Sequence, residues 1–345
     1  MTQQALSLPW VFSFQRPRLR RWVSVALVAL AGTVGASTWA QAPATSARSL
    51  TEWLTRMHEA SREMAYVGTL VVSAGTDMSA SRIWHVCDGR QQMERVETLT
   101  GVPRTTIRRN NEVITFIPES KTAWVEKRES LGLFPELLRT PSNTIAEFYA
   151  VNERDTERVA GHLADVVDIV PKDGLRFGYR IWAEKKTGLV VKLQTLDQDK
   201  VLEQVAFSEL QMDAPVRMDK LAKQMKDTRG YEVHRPVMKK TTPEAQGWRL
   251  KEPVPGFASM NCYVREGTQI APAEASVQWV FSDGLASVSL FIEPFDSQRH
   301  TQEQVIAAGA THSLTRRMGE HWVTAIGEVP PTALRRLVLA LERTR

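Results

Sequence analysis

Seven histidines (His58, His85, His162, His234, His300, His312, His321), two cysteines (Cys87 and Cys262) and an ordinary set of carboxylates could carry chemistry in this 345-residue chain. A helix captures a metal with two histidines three or four residues apart, and no two of the seven stand so. The sequence also has no nucleophile elbow, phosphate-cradling glycine loop or metal-binding cysteine cluster. The expectation is therefore no cofactor, no metal and no enzyme. Catalytic residues scattered along the chain would escape any spacing argument, so an enzyme stays open as the weakest alternative. Binding is what the residue types favour. Trp84, Trp124 and Trp182 fall on separate expected strands, and bulky rings on one face of a curved sheet would line an apolar cavity or simply fill a core. The candidate apolar pocket comprises Leu70, Val72, Trp84, Phe116, Trp124 and Trp182, with Leu133, Phe134 and Leu137 from an apolar loop as a lid. The basic turn Glu184-Lys185-Lys186-Thr187-Gly188 invites a phosphate-binding reading, but lysines at a hairpin tip are more simply solvated residues that protect strand ends.

The elements that must position these residues follow from hydrophobic period. Ser49-Leu50-Thr51-Glu52 has the form of a capping box, and Leu50, Trp53, Leu54, Met57 and Met64 then recur at helical spacing. From Tyr66 the period becomes two, with short breaks at turn residues, which predicts about ten antiparallel strands up to residue 212. Residues 130–151 interrupt this meander as an expected short helix and loop. Residues 213–242 read as a linker with a short helix at Met218 to Lys226. A second domain, residues 243–345, is expected to hold strands near 258–265, 276–282 and 287–293, a helix start at Thr301 to Gln304, a hairpin turning at Met318-Gly319-Glu320, and a final helix with Leu334, Leu337, Val338 and Leu341 on one face. The fold class is α+β: an N-terminal antiparallel half-barrel over residues 48–212 with a packed helix, then a smaller C-terminal α/β domain with an antiparallel sheet.

The formal net charge is +5. Arg16, Arg18, Arg20 and Arg21 account for four of those charges, and residues 1–40 hold no acid. With the apolar run from Trp22 to about Val34 and the small residues after it, this reads as a signal peptide cleaved after Ala40, with Ala42 a second choice and an uncleaved anchor the alternative. The expected address is the periplasm. What remains is nearly neutral, with bases and acids interleaved on the strands, so nucleic acid is not an expected partner. In an oxidising compartment Cys87 and Cys262 would be able to pair, and the sequence leaves that open.

The stretch DGLRFGYRIWAEKKTGLVVKLQTLDQDKVLEQVAF, together with WLTRMHEASREMAYVGTLV, FSDGLASVSLFIE and GEVPPTALRRL, resembles the RseB/MucB family over essentially the whole mature chain. The resemblance implies an N-terminal half-barrel similar to the lipoprotein carriers LolA and LolB. It also implies binding to the periplasmic domain of an RseA/MucA-like anti-sigma factor, protection of that partner from regulated proteolysis, and relief by lipopolysaccharide or lipoprotein acyl chains. Homo-oligomers are left open. Phe281, Asp283, Phe291, Arg316 and Arg317 are the candidate partner-binding residues. A lipoprotein or lipid carrier of the LolA kind is the alternative.

Overall fold

Ser49 starts the first helix by the reciprocal bonding its sequence predicts: Glu52 N–H donates to Ser49 Oγ at 3.3 Å, and Ser49 N–H donates to Glu52 Oε2 at 2.7 Å. In this computed structural model, residues 48–127, 144–265 and 276–344 are described, all within the unit Ala47–Arg345. The leader over residues 1–40 and the lid residues Leu133, Phe134 and Leu137 lie outside the described residues.

Helix α1 (Leu50–Glu63) leads into the meander β1 (Tyr66–Ala74), β2 (Asp77–Cys87), β3 (Gln92–Thr98), β4 (Thr105–Arg109), β5 (Glu112–Ile117) and β6 (Thr122–Lys127). A short helix α2 (Ile145–Phe148) precedes β7 (Tyr149–Val159), β8 (His162–Pro171), β9 (Gly178–Glu184), β10 (Val190–Asp197) and β11 (Lys200–Met212). Helix α3 (Met218–Lys226) and the short strands β12 (Glu232–His234) and β13 (Met238–Thr241) occupy the stretch that reads as linker. Then follow β14 (Trp248–Leu250), β15 (Ala258–Arg265), β16 (Ser276–Ser282), β17 (Ser287–Pro294), β18 (Gln304–Ala308), β19 (Thr311–Met318), β20 (His321–Gly327), α4 (Pro331–Ala340) and β21 (Leu341–Arg343).

Among the described residues, twelve strands form one large sheet in the order β12-β6-β5-β4-β3-β2-β1-β11-β10-β9-β8-β7, antiparallel throughout except for β12 beside β6. Seven strands form a smaller sheet, β13-β15-β16-β17-β20-β19-β18, and β14 pairs with β21. The α+β class and the two-sheet architecture are as the sequence predicts. The large sheet has two strands more than expected. One is β7, whose NERDTER run is exposed and has no apolar alternation to betray it. The helix expected from Thr301 is instead strand β18: after Thr301 to Gln304 only Val305 and Ile306 follow before Ala-Ala-Gly, too little to make an amphipathic helix.

Cross-strand register fixes which side chains share a face. Gly68, Ile83, Val96, Thr106, Thr115 and Trp124 form one row across β1 to β6, and Thr69, Arg82, Glu97, Thr105, Phe116 and Ala123 form a row on the opposite face. Helix α1 buries Trp53, Leu54 and Met57 with Val167, Tyr179, Ile181 and Leu193 on the Gly68 side. Helix α3 covers the other side with Leu221 and Met225 against Met93, Ile107 and Phe116. In the small sheet α4 packs Leu334, Leu337 and Val338 onto Trp279, Val288, Leu290 and Val323. Among the described residues no helix is long and apolar enough to cross a membrane.

On the large sheet the buried Asp168 accepts from Arg154 at 2.6 Å and from Arg180 at 2.8 Å. Burial works to raise the Asp168 pKa, but these two guanidinium partners prevail and hold it below the usual carboxylate value. A depressed carboxylate contributes stability above its unfolded pKa, and that contribution is lost as pH falls through the folded value. Urea midpoints measured from pH 7 down to 3 should therefore fall at the acidic end, and Asp168→Asn should flatten that part of the curve.

Candidate functional site

The basic hairpin tip is held from beneath rather than by its lysines. Lys185 and Lys186 are exposed, while Glu184 is 5 % exposed and accepts from Thr187 N–H at 2.8 Å, Thr187 Oγ1 at 2.8 Å and Lys186 N–H at 3.1 Å. Arg56 of α1 reaches the same turn and donates to Lys185 O at 2.6 Å. Gly188 adopts φ 88°, and a Cβ there would stand 2.7 Å from Arg56 Cγ, so both conformation and space require glycine. The tip is a structural anchor for α1.

The candidate pocket residues divide between the two faces. Leu70, Val72 and Trp124 lie on the α1 side. Trp84 and Phe116 lie on the α3 side. Trp182 is in the cross-strand row Val71, Ala206, Lys192, Trp182 and Val166, and belongs to the same buried cluster as Leu70, against which Val72 also packs. The three tryptophans thus do not share a face. Trp84 is flanked by Arg82 and Arg95, with Arg95 Cζ 4.6 Å from its ring. Phe116 packs edge-on to Tyr231. Trp182 is buried, donates to Glu157 Oε2 at 2.8 Å and carries Lys192 Nζ over its ring at 4.1 Å. A strand's inward face reverses with a one-residue slip, so faces cannot be carried across hairpins whose register is unknown.

On the α1 side the apolar residues Leu70, Ile83 and Val96 adjoin a polar group that sequence reasoning missed. His85 is 1 % exposed, donates through Nδ1 to Met64 O at 2.6 Å and stacks on Tyr66, while its Nε2 has no hydrogen-bond partner. Its cross-strand neighbour Glu94 is paired with Arg108 at 3.0 Å, both nearly buried.

The candidate partner-binding residues also separate. Phe281 is 1 % exposed, in the core under α4. Phe291 is half-buried on the sheet face away from α4. Arg317 is exposed, with its guanidinium 3.8 Å from the Phe295 ring. Arg316 is exposed and lines a cleft with α4. Asp283 is wholly buried where the two sheets meet.

That junction holds a buried polar cluster. Arg176, between β8 and β9, donates through Nε to Asp283 Oδ2 at 2.8 Å, and Tyr149 Oη donates to the same oxygen at 2.8 Å. Asp283 Oδ1 accepts from Leu285 and Ala286 N–H at 2.9 and 2.8 Å, shaping the turn between β16 and β17. Arg176 also reaches Asp173 Oδ2 at 2.5 Å and Pro255 O at 2.6 Å, and lies between the rings of Phe148 and Phe257 at 4.3 and 4.8 Å. Gly256 passes so close that a Cβ would collide with Arg176 Nη2. Leu285 of the same turn enters the core cluster of α1. Burial first, then the charges of Tyr179 and Asp283, push the Tyr149 hydroxyl well above its ordinary pKa, so it stays a donor. The signal for this cluster was present in Leu175-Arg176-Phe177, a lone base between apolar neighbours. It was missed because the partner lies 107 residues away.

Both cysteines are free thiols, Cys87 half-buried at the end of β2 and Cys262 buried in the small-sheet core. Burial, and then the charge of Glu244, push the Cys262 thiol up to about 11. A thiol reagent at pH 8 should titrate one group in the native protein and two in denaturant. Among the described residues no group of three or more histidine, cysteine, aspartate or glutamate side chains is placed to hold a metal ion.

The model of the MucB/RseB N-terminal domain matches residues 49–225, and that of the MucB/RseB C-terminal domain matches residues 242–342. The chain belongs to the MucB/RseB family. It is 27% identical to the sigma factor AlgU regulatory protein MucB of Pseudomonas aeruginosa over 306 residues, covering 87% of this chain and 92% of that one. To the sigma-E factor regulatory protein RseB of Escherichia coli it is 24% identical over 295 residues, covering 82% and 87%. The crystal structure of MucB in complex with MucA(peri) superposes with a TM-score of 0.65 at 24% identity, over 86% of this chain and 99% of that one. The fold is therefore that of MucB across both sheets.

Proposed function

We propose that this MucB/RseB family member is a periplasmic regulator that binds the periplasmic region of a membrane-spanning anti-sigma factor and shields it from the proteases that would release the sigma factor. Envelope lipid or mislocalised lipoprotein relieves that protection. The observation that carries the reading is the succession of both family domains in one chain, on the fold in which MucB was solved with MucA(peri). The basic, acid-free leader with its apolar run supports export. Relief by lipid is a linkage: a lipid that prefers the partner-free form must weaken partner binding by the factor by which the partner weakens lipid binding.

The test is calorimetric titration of the mature chain with the purified periplasmic fragment of the cognate anti-sigma factor, followed by site-specific proteolysis of that fragment. Binding with slowed cleavage is the expected result. Absence of binding, or cleavage at an unchanged rate in the complex, would sink the proposal. The carrier reading instead requires lipoprotein release from inner-membrane vesicles with this protein as sole acceptor.

A further inference from the structure

Strand β18 is the outer edge of the small sheet, and all five of its residues, Gln304-Val305-Ile306-Ala307-Ala308, are exposed. Edge strands are normally guarded against pairing by a lysine, a proline, a bulge or an inward charge. Here none is present: the run is uncharged, lacks proline, and pairs with β19 in unbroken register from Gln304↔Thr315 to Ala308↔Thr311. Val305 and Ile306 are 40% and 48% exposed. One row of backbone donors and acceptors on β18 points away from β19.

Beside this edge a cleft of about 500 Å³ opens between β18, β19 and α4. Val305, Leu314, Val338 and Leu339 supply its apolar wall, with Leu339 61% exposed. Arg316 and Arg335 stand on its rim, and neither forms an ion pair among the described residues. The one acid in the lining, Glu303, accepts a hydrogen bond from Arg317 N–H at 2.9 Å. The cleft thus combines an apolar wall with two exposed cations.

We infer that β18 and this cleft receive an extended segment of the anti-sigma factor's periplasmic region, one that combines acidic and branched apolar side chains and adds to the small sheet as an eighth strand. Alternate side chains of an added strand point to one face, so apolar residues spaced by two enter the cleft while acids meet Arg316 and Arg335. A second copy of this chain fits less well, since pairing two β18 edges about a two-fold axis would bring both arginine rims together. The inference rests on the proposed function and adds its docking surface.

The experiment uses the mature chain, the purified periplasmic fragment, and the surface variant Arg335→Glu/Leu339→Glu, with thermal unfolding to show that the variant is folded. The expected result is fragment affinity lowered about tenfold or more in the variant, a salt-sensitive wild-type affinity, and slowed amide exchange over residues 304–308 in the complex. Wild-type binding with an equal variant affinity and unchanged exchange at β18 overturns this inference and leaves the proposed function standing. Absence of wild-type binding overturns both. Protection of β18 that rises with protein concentration in the absence of fragment assigns the edge to a second copy and overturns the inference.

Discussion

Asp283→Ala should lower the unfolding free energy by about 3–5 kcal/mol, the usual cost of stranding the other member of a buried ion pair. Arg176 and Asp283 both have fully buried side chains, so water cannot replace the lost partner. The substitution also frees the Tyr149 hydroxyl and the Leu285 and Ala286 amides, each of which then lacks its acceptor. Arg176 keeps Asp173 and Pro255 O, which limits the damage but does not neutralise the change. Urea unfolding followed by tryptophan fluorescence is the measurement. Because the cluster joins the two sheets, the variant should also unfold in two resolvable steps, the tryptophans of the large-sheet cores reporting one and Trp248 and Trp279 of the small-sheet core the other. A single transition at the wild-type midpoint would refute the assignment.

Trp53→Ala is expected to cost a similar amount, about 3–5 kcal/mol, for a different reason. Trp53 is 1 % exposed and fills the space between α1 and the large sheet, with its Nε1 donating to Glu153 Oε1 at 3.0 Å. Removing the ring leaves a cavity that the rigid strands β8 to β10 cannot close. Trp53→Phe keeps most of the volume, loses the hydrogen bond, and should recover more than half of the stability. Denaturant midpoints of the two variants decide this, and an alanine variant as stable as wild type would show that α1 does not hold the core.

Much of the fold was legible because local signals and tertiary packing agree. The capping box at Ser49 and Glu52, the helix at Met218–Lys226, and Leu334, Leu337 and Val338 on one face of α4 formed where spacing placed them, whereas Leu341, expected on the same helix face, begins strand β21. Strand β7 was illegible, since a polar edge strand has no buried face to print on its sequence. Faces were harder still. Leu70 and Trp84 belong to adjacent strands with similar alternation, yet one points to α1 and the other away, because register is set by hairpin geometry rather than by pattern. The site showed the same divide. Arg316 is readable as an exposed cation, whereas Asp283 and Phe281, expected as contact residues, are buried. Long-range partners such as Arg176 for Asp283 leave no trace in neighbouring residues.

The segment after α3 contributes β12 to the large sheet and β13 to the small one, with only Arg235, Pro236 and Val237 between them. Four extended residue steps reach at most about 14 Å. That strap caps how far the two sheets can part at this point unless a strand is peeled off first. Any separation of the two sheets would therefore swing like a door on a short hinge, with the largest travel on the side remote from residues 235–237.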